Sequence, residues 1–241
     1  MDIFCKYKLK FDSFIIFLII ILNFFISADL LSQSNEIGLP QIRNYLPKEY
    51  GTDPQNFSVA QDLRGVMYFG NMSGILEFDE ISWRLIKIQG WPYLTSCCDG
   101  RIYVGAFNDF GYLAPDSSGL NNFFSLKDKF LKDDDFGAVF NIVSSGGQIF
   151  FETDNKLFRY ANDVVELLDT NSSRYTVFKA GKEIFINHSV FGLVKYTNSE
   201  FKKLPNGKYF IGKDILDILP FNKSILIKVN SVRGLLEYDF Q

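Results

Sequence analysis

Five short apolar runs recur along the chain. They are VMYFG centred on Tyr68, RIYVG on Tyr103, QIFFE on Phe150, EIFIN on Phe185 and SILIK on Leu226, at intervals of 35, 47, 35 and 41 residues. Ten to twelve residues after each centre a second run closes: GILEF at Phe78, GYLAP at Pro115, KLFRY at Tyr160, GLVKY at Tyr196 and GLLEY at Tyr238. Each centre is also preceded by a run: FSVAQD at 57–62, YLTSCCD at 93–99, FNIVSS at 140–145, YTVFKA at 175–180 and ILDILP at 215–220. Four units add a last run: WRLIKI at 83–88, NFFSL at 122–126, VVELLD at 164–169 and FKKLP at 201–205. Four strands in ~35–45 residues, repeated, is the content of a propeller blade. The joints carry turn chemistry: Asp62 to Gly65, Asp99-Gly100, Gly146-Gly147 and Ala180-Gly181.

The middle runs are continuously apolar rather than alternating, and rich in Ile, Val, Phe and Tyr. Strands covered on both faces read this way, and blades stacked around an axis cover their middle strands twice. A sandwich would explain strands but not the repeated unit, and a solenoid usually has shorter repeats. The expected fold is therefore all-β, a β-propeller of four-stranded antiparallel blades near 56–90, 91–126, 139–169, 174–206 and 211–241, preceded by an extended segment over 29–55. The last unit has no fourth run, so it is expected to be incomplete at the C-terminus. On this reading the chain is the front of a longer protein or a truncated product. The outward faces of the first and last units should then be apolar and bare, and residues 29–241 alone aggregation-prone.

The leader is built differently. Lys6, Lys8 and Lys10 precede the apolar block FIIFLIIILNFFI at 14–26, and ISA ends at Ala28. That is a three-part secretory signal over 1–28, shorter than the ~20 residues of a spanning helix. A periplasmic or extracellular location follows. A net charge of −3 without a basic stripe argues against nucleic acid as a partner.

Residues 37–119 carry a further pattern. Gly38, Pro40, Ile42, Asn44 and Tyr45 are followed by Gln61, Asp62, Gly65, Tyr68, Gly70, Asn71, Gly74, Glu77, Phe78, Asp79 and Trp83, then by GRIYVGAFNDFGYLAPDSSG at 100–119. This resembles the start of the periplasmic propeller sensor regions of Bacteroidetes-type two-component regulators, which begin after a signal peptide. The resemblance extends as a pattern to residue 241. It implies an extracytoplasmic ligand-sensing role in a membrane-bound signal-transduction regulator; a small-molecule or glycan ligand and a homodimer of the full-length protein are the partners expected of this chain. In that family a triple-tyrosine immunoglobulin-like module, a membrane helix and an output domain follow. None of these is in the sequence, so membrane attachment would come only through downstream parts.

Candidate chemistry is sparse. Asn71, Asn108, Asp109, Asp154, Asn155, His188 and Asn230 fall between the second and third strands of their units. Such turns gather at one end of a propeller, where polar groups could bond a sugar and Phe107, Phe110 and Phe191 could stack on it. The competing reading is that Asn and Asp simply make turns. His188 is the single histidine, and the sequence offers no second His or neighbouring Cys to share a metal with it and no visible nucleophile beside it. The KDDD run at 132–135 does not match a calcium loop. The triplets starting at Asn56, Asn71, Asn171, Asn187 and Asn222 fit glycosylation acceptors, a pattern without meaning in a bacterial chain. Cys97 and Cys98 are expected as small buried hydrophobes in a strand, since adjacent cysteines rarely pair. No cofactor or metal is expected, and the chain is not read as an enzyme. The alternatives are a secreted propeller enzyme acting on polysaccharide, which would need two carboxylates or a histidine site at one end of the axis, and a protein-interaction scaffold.

Overall fold

A computed structural model describes residues 42–130, 135–169 and 175–241. The leader at 1–28, Gly38, Pro40, Asn171 and all but the last residue of the KDDD run lie outside the described residues. Tyr45–Gln241 forms one compact unit, and Met1–Asn44 is assigned to another, of which only 42–44 are described.

Each recurring run becomes a strand. The first sheet is β1 (Asn56–Gln61), β2 (Met67–Asn71), β3 (Gly74–Phe78) and β4 (Trp83–Ile86). The second is β5 (Tyr93–Ser96), β6 (Ile102–Ala106), β7 (Asp109–Pro115) and β8 (Asn121–Ser125). The third is β9 (Val139–Ser145), β10 (Gln148–Thr153), β11 (Leu157–Ala161) and β12 (Val164–Asp169). The fourth is β13 (Tyr175–Ala180), β14 (Glu183–His188), β15 (Gly192–Thr197) and β16 (Glu200–Lys203). The fifth is β17 (Ile215–Phe221), β18 (Ser224–Val229) and β19 (Leu236–Tyr238). Every sheet is a sequential antiparallel meander, and the fifth has three strands. Among the described residues helix is confined to α1 (Pro47–Tyr50), α2 (Lys127–Phe130) and a 3-10 turn at Gly207–Phe210. Among the described residues no helix is long and apolar enough to cross a membrane. The first strands β1, β5, β9, β13 and β17 contact one another in chain order and form the inner wall.

The core explains the unbroken apolar runs. Among the described residues it is four clusters, each lying between consecutive sheets. Tyr68 and Ile75 of the first sheet meet Ile102 and Val104 of the second. Tyr103 and Phe110 meet Ile149, Phe151 and Phe158 of the third. Phe150 and Leu157 meet Ile184, Ile186 and Val194 of the fourth. Phe185 and Leu193 meet Ile225 and Ile227 of the fifth. Because successive strand residues point to opposite faces, Ile149 and Phe151 face backward while Phe150 faces forward. Tyr68, Tyr103, Phe150 and Phe185, the centres of four of the repeated runs, thus all point at the following sheet. Burying a residue of this size stabilises by ~1.5–3 kcal/mol, so the repeat spacing records where each sheet leans on the next.

Polar clasps reinforce these seams. Between the first two sheets Asn121 Nδ2 donates to Tyr68 Oη (2.8 Å) and to Glu77 Oε2 (3.2 Å), and Arg84 donates to Glu77 (2.8 Å) and to the Asn121 carbonyl (2.7 Å). Burial, with Glu77 and Asp62 nearby, pushes the Tyr68 phenol up to about 12.

Two expectations are corrected. The outward face of the first sheet is not bare: Trp83 stacks on Phe78 (4.2 Å between centroids), and Tyr45 and Tyr50 from the preceding segment pack on Trp83. Cys97 and Cys98 lie past the end of β5, in the turn to β6, with Cys97 half-buried and Cys98 exposed. The strand ends at Ser96 because Asp99 and Gly100 turn the chain, so neither cysteine is a strand residue: Cys97 still packs on the core between the second and third sheets, and Cys98 faces outward.

Candidate functional site

The turns between second and third strands lie at one end of the propeller, beside the segments that lead into each first strand. Hydrogen bonds join the two. Asn71, fully buried, donates from Nδ2 to the Asp53 carbonyl (2.7 Å) and to Asn56 Oδ1 (2.9 Å), and its Oδ1 accepts from Ser73 N–H (2.9 Å). Asn108 adopts a left-handed φ of 52°. Its N–H donates to the Gly137 carbonyl (2.7 Å) and its Oδ1 accepts from Phe136 N–H (3.1 Å). Asp109 accepts from Phe110 N–H (2.7 Å) and the Ser125 hydroxyl (2.7 Å). Burial raises its pKa above the usual range against those two bonds. Asn230 donates from its backbone to the Asp214 carbonyl (2.9 Å). Asn155 and Asn230 are exposed. Four of these groups therefore join a turn to a neighbouring segment, the geometry that turn chemistry favours.

Two of the residues singled out from the sequence, Asp154 and His188, line one cavity of about 630 Å³. Its wall comes from three consecutive sheets: Phe140 and Glu152 from the third, Thr176, Asn187 and His188 from the fourth, and Lys213 and Asp214 ahead of the fifth. His188 is buried, accepts at Nδ1 from Val190 N–H (3.0 Å) and Phe191 N–H (3.3 Å), and packs at a tilt against the Phe191 ring (4.4 Å between centroids). Asn187 Nδ2 donates to the Lys213 carbonyl (2.8 Å), while its buried Oδ1 has no protein partner. Phe110 is wholly inside the core, so it cannot stack on a ligand.

Glu152 was not singled out from the sequence. It is 1% exposed. Its Oε2 accepts from Val177 N–H (2.8 Å) and from Asn141 Nδ2 (2.8 Å), and Asn141 Nδ2 also donates to the Val177 carbonyl (2.9 Å). Two side chains of the third sheet thereby satisfy both backbone groups of one residue on β13. Burial pushes the Glu152 carboxyl up to about 7, opposed by the bonds from Val177 and Asn141. The available signal was an acid inside the run QIFFET, since a charge on a strand covered on both sides demands partners.

A second cavity of about 670 Å³ lies alongside, lined by Trp91, Tyr93, Phe107, Val139 and Phe140. Trp91, Phe107 and Phe140 are exposed, and Trp91 packs against Phe57 (5.7 Å between centroids). Phe140 belongs to both cavities. A polar chamber and an aromatic shelf thus meet at one ring.

No protein-family model and no curated protein matches the chain. Solved structures match by fold. The extracellular domain of BT4673 from B. thetaiotaomicron, described as a one component system, aligns with a TM-score of 0.54 at 16% identity over 78% of this chain. This chain spans 28% of the length of that structure. The WD40 β-propeller domain of Doa1 aligns with a TM-score of 0.51 at 11% identity, over 76% of this chain and 66% of that one. Virginiamycin B lyase from Staphylococcus aureus aligns with a TM-score of 0.50 at 14% identity, over 76% of this chain and 69% of that one. The architecture is a β-propeller, and an extracellular domain of a Bacteroides signalling system is among the folds it matches, as the sequence resemblance implied.

Proposed function

We propose that this propeller is the ligand-sensing part of an exported signal-transduction regulator, and that it binds a hydroxyl-rich, glycan-like molecule at the paired cavities. The observation that carries this is the junction at Phe140. Sugar rings present apolar C–H faces that stack on exposed aromatic rings, and hydroxyls that bond carboxylates and amides. Trp91, Phe107 and Phe140 supply the first surface; Asp154, Asn187, Lys213 and Asp214 supply the second. Ligand sites of this kind join apolar walls to a few placed polar groups. The three-part leader and the fold likeness to an extracellular signalling domain support an extracytoplasmic setting.

The test is thermal stabilisation of the full chain by a panel of soluble oligosaccharides, followed by calorimetric titration. At 100 times Kd a bound ligand stabilises by ~2.7 kcal/mol. Trp91→Ala and Asp154→Asn should each weaken binding at least tenfold without altering the melt of the free protein. If no oligosaccharide binds, or if both variants bind as wild type does, the reading fails. The carboxyl of Glu152, pushed up into the range of a general acid in the same cavity as Asp154, favours a second reading: cleavage of the bound glycan. Release of new reducing ends would identify it.

A further inference from the structure

Cys97 and Cys98 occupy the turn between β5 and β6, at the end of the propeller opposite the cavities. Their Sγ atoms are 3.6 Å apart. The same turn occurs in the first sheet without sulfur. Cys97 N–H donates to the Arg101 carbonyl (3.2 Å) and Gly100 N–H to the Cys97 carbonyl (3.1 Å); Asp62 N–H donates to the Val66 carbonyl (3.0 Å) and Gly65 N–H to the Asp62 carbonyl (3.1 Å). Gly65 and Gly100 hold φ of 89° and 79°. Cys97 and Cys98 therefore stand where Asp62 and Leu63 stand one repeat earlier.

In the first turn the Asp62 carboxylate accepts from Arg64 N–H (2.9 Å), Val66 N–H (3.0 Å) and the Tyr68 hydroxyl (3.2 Å). In the second, Asp99 takes over that work, accepting from Arg101 N–H (3.1 Å) and the Tyr103 hydroxyl (2.8 Å). Asp99, rather than either thiol, thus closes the turn, while Cys97 packs against the core between the second and third sheets and Cys98 is exposed. Among the described residues no third acid, histidine or cysteine joins them as a metal-ligating group. What remains is dithiol chemistry. Cys98 is exposed and open to attack, while Cys97 is half-buried beside it.

We propose that Cys97 and Cys98 form a reversible vicinal dithiol–disulfide couple that exchanges with external disulfides. The Cys98 thiolate attacks one sulfur of a small disulfide and expels a thiolate. The Cys97 thiolate then attacks the Cys98 sulfur and expels the second. One external disulfide and two protein thiols become one internal disulfide and two external thiols. The sulfurs must close from 3.6 Å to about 2.04 Å within a turn already held by hydrogen bonds. Because a ring between adjacent cysteines departs from relaxed disulfide geometry, the bond should be readily reducible, the behaviour of exposed regulatory disulfides rather than structural ones.

The pair is placed to transmit the change. The Ser96 carbonyl next to it accepts from the Ser144 hydroxyl of β9 (2.8 Å). Gly100 lies against Leu63 of the first sheet, within 2.9 Å of where a side chain would begin. The turn therefore touches the sheets on both sides of its own.

The test equilibrates the full chain with glutathione and its disulfide at graded ratios, quenches with iodoacetamide and maps tryptic peptides. Peptide 88–101 holds both thiols and excludes Cys5. The expected result is one transition, from the doubly alkylated peptide to a species lighter than the reduced peptide by two hydrogens, reversed by reduced glutathione. Cys97→Ser should instead trap a stable glutathione adduct on Cys98. Accumulation of glutathione adducts on the wild-type peptide, disulfide-linked dimers through it, or two free thiols at every ratio would each overturn the proposal.

Discussion

Replacing Glu152 by Gln should make the protein more resistant to unfolding at neutral pH and remove a specific part of its pH dependence. In the unfolded chain the carboxyl titrates near 4.5; burial in the folded chain pushes it up to about 7. Between these values the folded state holds a proton that the unfolded state has released. The stabilisation linked to that proton is therefore fully present below about 4.5 and is lost as pH rises through about 7. At 1.36 kcal/mol per pH unit, the interval amounts to about 3 kcal/mol. Gln keeps an oxygen for Val177 N–H and Asn141 Nδ2, and carries no charge at any pH. Urea unfolding of both proteins from pH 4 to pH 8 checks this. The stability difference, variant minus wild type, should rise by about 3 kcal/mol across the range and level off above pH 7. Carboxylates with the opposite trend cancel in the difference. One is Asp62, which burial pushes up but bonds from Arg64 and Val66 bring below its ordinary value. Two parallel curves, agreeing within ~0.5 kcal/mol at every pH, would refute the assignment of Glu152 as a buried acid that titrates near neutrality.

Three further outcomes test the packing argument. Phe151→Ala removes a fully buried ring stacked on Phe110 (4.5 Å between centroids) and should cost ~3–5 kcal/mol in urea unfolding. Gly70→Ala would place a methyl 1.9 Å from the Pro92 carbonyl oxygen, so the seam between β1–β2 and β5 must part; loss of the cooperative melt by near-ultraviolet circular dichroism is expected. Asn121→Ala breaks the clasp to Tyr68 and Glu77 and should cost ~1–2 kcal/mol, with a double-mutant cycle against Arg84→Ala showing coupling between the two.

The propeller was legible in the residues because its physics is local and periodic. A strand covered on both faces must be apolar at every position, and turns need Asp, Asn and Gly at fixed offsets. Both demands are written into QIFFE or EIFIN and the joints beside them, and they recur with every sheet. The forward-facing residues Tyr68, Tyr103, Phe150 and Phe185 follow from the same alternation. The site was not legible in this way. Asn71 and Asn108 have the composition of ligand-binding residues, yet their hydrogen bonds go to Asp53 and Gly137, partners that only the path of the connecting segments brings near. Glu152 looks like the polar end of a strand until β13 of the next sheet lies alongside and presents the N–H of Val177. Phe140 is one more aromatic in a Phe-rich chain until the inner wall turns it toward two cavities at once. Strand identity depends on neighbours two residues away, which any short stretch contains. The meaning of a polar or exposed residue here depends on groups 25 to 36 residues distant, such as Val177 from Glu152 and from Asn141, and those distances close only when the sheets stack around their axis.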